Sequence, residues 1–140
     1  MKYVLVVDDE PTLREIAAEA LREAGYHVDT AANGIEALQL MYGRPSPHAI
    51  VLDLMMPRLD GSGFVELMRL NPRLASVPIV LLTAAYGAAQ AAARIGARAC
   101  VTKPFELDHL VDAVERVIGE PSLGPPEANT RIESRFVAEA

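Results

Sequence analysis

The 140-residue chain has no tryptophan and one cysteine, and aromatic residues make up only 5% of it. A single thiol excludes an intrachain disulfide framework and is the usage expected in a reducing cytoplasm. No segment approaches the ~18 consecutive apolar residues that a membrane-spanning helix requires. The opening MKYVLVVDDE holds an apolar run of five residues that meets acids, too short for the core of a signal peptide. Positive charge is also scarce: the formal net charge is −6, with 11 basic and 15 acidic side chains in residues 1–119 and two and four in residues 120–140. That balance argues against nucleic acid as a direct partner, which needs a clustered basic surface. Internal repeats are absent, and the three histidines, His27, His48 and His109, lack the spacing of metal ligands.

What the chain does have is apolar runs that end on chemistry. Val4–Val7 stops at Asp8-Asp9, Ile50–Leu52 at Asp53, Ile79–Leu82 at Thr83, and Cys100–Thr102 at Lys103. If these runs are neighbouring parallel strands, their carboxyl ends share one edge of a sheet, the edge where open α/β folds bind ligands. Three carboxylates, a hydroxyl and an ammonium then converge. Carboxylates brought together without a partner repel one another, and a hard divalent cation relieves the repulsion; Mg²⁺ suits an all-oxygen site. Asp53, at the end of the middle run, is the natural nucleophile toward a phosphoryl donor.

Strand and helix patterns alternate along the chain. Tyr3–Val7 reads as a strand, and Glu10-Pro11 opens a helix in which Leu13, Ile16, Ala17, Ala20, Leu21 and Ala24 recur at helical spacing until Gly25. A short strand over 26–32 and a turn at Asn33-Gly34 lead into an amphipathic helix carrying Ile35, Leu38 and Met41. After the Gly43–Pro47 loop, His48–Asp53 is a continuous apolar strand, as expected when helices cover both faces. A loop with Pro57 and Asp60-Gly61 precedes a helix with Phe64, Leu67 and Met68 that closes near Asn71-Pro72. Val77–Thr83 is the fourth strand, Tyr86–Ile95 an alanine-rich helix, Ala99–Thr102 the fifth strand, and Leu107 to Ile118 the last helix. Five strand–helix units imply a doubly wound parallel α/β sheet with right-handed crossovers.

Asp8-Asp9-Glu10-Pro11, Asp53-Leu54-Met55-Met56-Pro57, Asp60-Gly61, Thr83-Ala84 and Lys103-Pro104-Phe105 together resemble the receiver domain of two-component response regulators, over about residues 2–119. The resemblance implies a flavodoxin-like five-stranded sheet of order 2-1-3-4-5, a receiver domain over 1–119, and residues 120–140 beyond it. It also implies that a sensor histidine kinase or phosphotransfer protein donates a phosphoryl group to Asp53, the donor histidine lying on that other protein. Mg²⁺, or alternatively Mn²⁺, would be held by Asp9 directly, Asp8 mainly through water, one oxygen of Asp53 and the Met55 backbone carbonyl. Lys103 and Thr83 would meet the phosphoryl oxygens, and a cis Lys103-Pro104 bond would aim the ammonium inward. The expected role is a cytoplasmic signalling domain with only self-catalysed phosphotransfer and slow autodephosphorylation. Its output partner or domain would read the surface around helix 4, strand 5 and helix 5.

Each residue also has a plainer reading. Asp8-Asp9 suits a helix N-terminus, Thr83 a strand end, Lys103 a solvated surface, and Cys100 a buried strand position. The other functional classes are a Mg²⁺-dependent aspartyl-phosphate phosphohydrolase and a phosphate-independent pseudo-receiver. Such hydrolases carry an Asp-x-Asp pair, and Asp53-Leu54-Met55 lacks its second carboxylate. Three residues before the lysine the family usually carries Tyr or Phe as part of its switch; the resemblance thus gives Thr83, Ala84 and Cys100 as the switch positions, with the coupling expected to rest on Thr83 and the Ala84–Gly87 loop and the Cys100 thiol a passive packing group.

The tail has its own pattern. Residues 120–126 form a linker by composition, rich in proline and glycine. Thr130 with Glu133 then gives a capping-box signature for a short C-terminal helix bearing Ile132, Phe136 and Val137. So short a helix is marginal in water unless its apolar face is covered. The expectation is docking on the chain's own surface or on a second copy, as a homodimer through the tail.

Overall fold

The computed structural model describes residues 2–56, 60–84 and 88–119. Strands β1 (Tyr3–Val7), β2 (His27–Ala31), β3 (Ala49–Asp53), β4 (Ile79–Ala84) and β5 (Ala99–Lys103) alternate with helices α1 (Pro11–Glu23), α2 (Gly34–Met41), α3 (Gly61–Arg69), α4 (Ala88–Ile95) and α5 (Leu107–Gly119). All strand pairs are parallel, and the order is β2-β1-β3-β4-β5, the doubly wound flavodoxin-like arrangement. Pro57, the residues Ala85, Tyr86 and Gly87 after β4, and the tail from Glu120 to Ala140 lie outside the described residues.

The strand period of two divides the core in two. Leu5, Val7, Ile50, Leu52, Ile79, Leu81 and Cys100 face one side, against Met41, Phe64, Met68 and Ile95 from α2, α3 and α4. Val4, Val6, Val51, Val80, Leu82 and Val101 face the other, against Leu21 from α1 and Leu110, Val114 and Val117 from α5. Burial of each such Val, Leu, Ile or Phe is worth roughly 1.5–3 kcal/mol before entropy is counted.

Capping fixes where the helices begin. The Glu10 carboxylate accepts from the Thr12 and Leu13 amides at 3.1 and 3.2 Å, Asn33 Oδ1 from Glu36 N at 2.8 Å, and Asp60 Oδ1 from Gly63 N at 2.9 Å. Glu10, rather than Asp8 or Asp9, therefore caps α1, which leaves the two aspartates available for other work. Gly25, with φ of 103°, ends the α1 turn in a backbone region that other residues rarely adopt.

The opposite edge, at the amino ends of the strands, is tied by arginines. Arg22 donates to Val28 O at 3.1 Å and Arg69 to Ala75 O at 2.6 Å, with longer bonds to Ile95 O and Gly96 O at 3.4 Å each. Arg73 reaches Met41 O at 2.8 Å and Arg44 O at 2.7 Å. Several of these carbonyls are helix C-termini, where a cation is favoured by the macrodipole.

Some boundaries differ from the sequence reading. β3 begins at Ala49 rather than His48, whose Nδ1 instead accepts from Tyr3 N at 3.0 Å. The fourth strand runs Ile79–Ala84 and α3 ends at Arg69, with Leu70 as its cap. Residues 70–77 are a series of turns closed by Leu74 N to Asn71 O and Val77 N to Leu74 O.

Candidate acidic phosphoacceptor site

Parallel pairing brings the expected residues to one edge. β1 lies beside β3 in a register that pairs Val7 with Leu52, so Asp8-Asp9 and Asp53 leave adjacent strands at the same level. On the other side Asp53 pairs with Leu82, Thr83 with Thr102 and Ala84 with Lys103. Asp8, Asp9 and Asp53 each offer a carboxylate oxygen within 4.8 Å of the others. Asp8 and Asp53 are buried and Asp9 is the most open of the three. Lys103 Nζ stands 3.5 Å from Asp8 Oδ2 and 3.4 Å from Asp53 Oδ2, and the Lys103-Pro104 bond is cis. Thr83 is buried at the end of β4.

Electrostatics marks Asp53. Burial, followed by the charge of Asp8, pushes its carboxyl up to about 6, against the opposing pull of the Lys103 ammonium and the Met55 amide. That amide donates to Asp53 Oδ1 at 3.3 Å, while the Met55 side chain is 75% exposed. Asp8 Oδ1 accepts from Glu10 N at 3.0 Å, but its buried Oδ2 has no hydrogen-bond donor. A buried carboxylate oxygen with a lone ammonium at 3.5 Å, among two further carboxylates, is a donor set that a hard divalent cation satisfies. Ala84 is exposed, whereas Cys100 is 0% exposed, in register with Leu81 on the α2–α4 side of the core.

Two supports were not legible in the motif. Arg14 donates to Asp8 O at 2.9 Å, fixing the acidic turn to the first turn of α1; its i+6 spacing from Asp8 carries no distinctive sequence signal. Gly61 sits against the backbone that follows β3: an added Cβ would lie 3.0 Å from Leu54 Cα, 3.1 Å from Leu54 O and 3.3 Å from Asp53 O. Its amide donates to Leu54 O at 3.1 Å. The Asp60-Gly61 pair is legible as a turn, but the close approach is not.

The sequence profile described as response regulator receiver domain matches residues 4–115. A probable chemotaxis protein of Rhizobium etli is 34% identical over 119 residues, covering 83% of this chain and 92% of that protein. A probable transcriptional regulator of Guillardia theta is 41% identical over 118 residues, 81% of this chain, which spans only 45% of the regulator's length. Among solved structures, a putative response regulator from Chloroflexus aurantiacus aligns with a TM-score of 0.79 at 36% identity, covering 85% of this chain and 98% of that one. The receiver domain of a Pseudomonas aeruginosa sensor histidine kinase, solved with a magnesium ion coordinated in its active site cleft, aligns with a TM-score of 0.77 at 30% identity, covering 85% and 98%. Among the described residues, no helix is long and apolar enough to cross a membrane.

Proposed function

This chain belongs to the response regulator receiver domain family, a signalling family rather than one of turnover enzymes, and from that premise we propose that Asp53 is its phosphoacceptor. The observation that carries this is the placement of Asp53: buried at the end of β3, with the Asp8 carboxylate and the Lys103 ammonium both against it. The donor is a sensor histidine kinase or a phosphotransfer protein. As the Asp53 oxygen bonds to phosphorus, the bond from phosphorus to the donor's imidazole nitrogen breaks, and the imidazole leaves with the donor.

Asp8, Asp9, Asp53 and the Met55 carbonyl are the groups that would hold Mg²⁺, or Mn²⁺ in its place; the orphaned Asp8 Oδ2 supports that assignment. Bound there, the cation supplies positive charge to the developing phosphoryl oxygens. Lys103 contributes the protein's own positive charge, and the Thr83 hydroxyl offers a hydrogen bond from the neighbouring strand end. Positioning and charge compensation are what phosphoryl transfer demands of a protein. Thr83, Ala84 and the surface of α4, β5 and α5 then carry the state of Asp53 to an output partner or domain. Residues 1–119 form the receiver, working in the cytoplasm.

The test is intact mass after incubation with a small-molecule acyl phosphate and Mg²⁺. Wild type gains one phosphoryl group and Asp53→Asn gains none. Equal gain in both proteins would remove Asp53 from the role.

A further inference from the structure

Between α3 and α4, on the side of the sheet away from α1 and α5, lies a cleft of about 330 Å³ lined by Ser62, Val65, Glu66, Arg69, Arg94 and Ile95. The α3 members follow i, i+3, i+4, i+7 spacing, so they form one continuous stripe. The cleft is mixed in character: Val65 and Ile95 are its apolar elements, Arg69 and Arg94 its cations and Glu66 its one carboxylate. Among the described residues no carboxylate pairs with Arg69 or Arg94. All three acceptors of Arg69 are backbone carbonyls, and its buried Nε has none. Burial, and after it the neighbouring Arg98 charge, lower the Arg69 pKa.

We infer that the chain's own C-terminal segment occupies this cleft, with Phe136 between Val65 and Ile95 and tail carboxylates toward Arg94. Three observations support that occupant. Residues 120–140 carry four acidic and two basic side chains, complementary to a cleft with two arginines and one glutamate. In the helix that the capping box at Thr130 and Glu133 would begin, Ile132, Phe136 and Glu139 fall at i, i+4 and i+7, an apolar stripe ending in a carboxylate. The third is reach. The tail leaves α5 at Gly119, at the strand-start edge of the sheet, where α4 also ends, and both helices pack on β5. Ten residues, 120–129, span about 31 Å even as a proline-rich extended linker, enough to round the β5 edge past one helix layer of about 10–12 Å on each face.

Docking within one chain is favoured over exchange between copies, because so short a tether holds the segment at millimolar effective concentration. The contact requires no phosphoryl step, so it stands apart from the assignment of Asp53. It places the tail against α4, the helix that follows the Thr83-Ala84 end of β4.

Disulfide trapping in the full chain tests it, since the native Cys100 is buried. Glu66→Cys with Arg135→Cys, which keeps Phe136, should close an intramolecular disulfide at least tenfold faster than Glu115→Cys with Arg135→Cys. Glu115 is exposed on α5, four residues from the root of the tail, so an undocked tail meets it at least as often. Adding Arg94→Glu should slow the Glu66 pair several-fold. Equal rates for the two pairs, or no effect of Arg94→Glu, would overturn the docking. A disulfide-linked dimer as the main product would overturn it in favour of a second copy.

Discussion

Asp8 and Asp53, on adjacent strands, point one oxygen each at the same ammonium: Lys103 Nζ is 3.5 Å from the first and 3.4 Å from the second. Burial first, and then the Asp8 charge, outweigh that one shared cation, and together they push the Asp53 carboxyl up to about 6.

The first prediction concerns stability and pH without divalent cations. The folded pKa of Asp53 lies above its unfolded value of about 3.9, so the folded state binds the proton more tightly. The resulting stabilisation is fully present below about pH 4 and is lost as pH rises through about 6. Asp53→Asn, which carries no charge at any pH, should therefore be more stable than wild type by on the order of 1–3 kcal/mol at neutral pH, and nearly equal to it near pH 4. Urea unfolding in the presence of a chelator measures this. Mg²⁺ should then raise the melting temperature of wild type more than that of the variant. A stability gap independent of pH would contradict the argument.

A second prediction rests on Gly61. The atoms that a Cβ would meet at 3.0–3.3 Å are backbone, which cannot swing aside. Gly61→Ala should cost about 1–3 kcal/mol, shift the amide resonances of Leu54 and Met55, and slow phosphorylation of Asp53. Gly119→Ala, with open space at its Cβ position, should leave all three unchanged or slightly improved. Matching behaviour of the two variants would sink the close-approach explanation.

The lifetime of the acyl phosphate should depend on Met55. Hydrolysis needs a water in line with phosphorus, and the exposed thioether beside Asp53 is too weak an acceptor to orient one. The phosphorylated protein should lose its label slowly, and Met55→Asn should speed the loss several-fold. An unchanged or slower decay would show that this side chain does not limit water placement. Ala85, the other position expected to matter, lies outside the described residues.

A fourth prediction separates Thr83 from Cys100. The thiol is fully buried among core residues, in register with Leu81, so it packs rather than swings. Cys100→Ala should cost about 1–2 kcal/mol of stability yet preserve the phosphorylation-dependent amide shifts over Ala88–Ile95. Thr83→Ala should shrink those shifts with little loss of stability. The reverse ranking would assign the switch to the cysteine.

Much of this was legible before any coordinates, for a physical reason. Buried parallel strands read as continuous apolar runs, so Val4–Val7, Ile50–Leu52 and Ile79–Leu82 announced both the sheet and, by their last residues, the composition of its carboxyl edge. Element ends were less legible. His48 fits a strand by composition, but its ring nitrogen accepts the Tyr3 amide just before the ladder begins. Asp8-Asp9 has the composition of a helix start, and the capping oxygen came from Glu10 instead. What sequence could not reveal were contacts without a distinctive spacing, Gly61 against Leu54 and Arg14 under Asp8, and one between distant segments, Arg73 across to Met41. The last depends on how the crossovers return, and no local periodicity encodes any of the three.

The arginine ties at the strand starts also matter mechanically. Arg22, Arg69 and Arg73 fasten helix ends and loops to one another along the edge opposite Asp53. The two margins thus rest on different residues: these arginines at the strand starts, and Arg14, Gly61 and Lys103 around Asp8, Leu54 and Asp53 at the other. Loosening one set therefore leaves the bonds of the other in place.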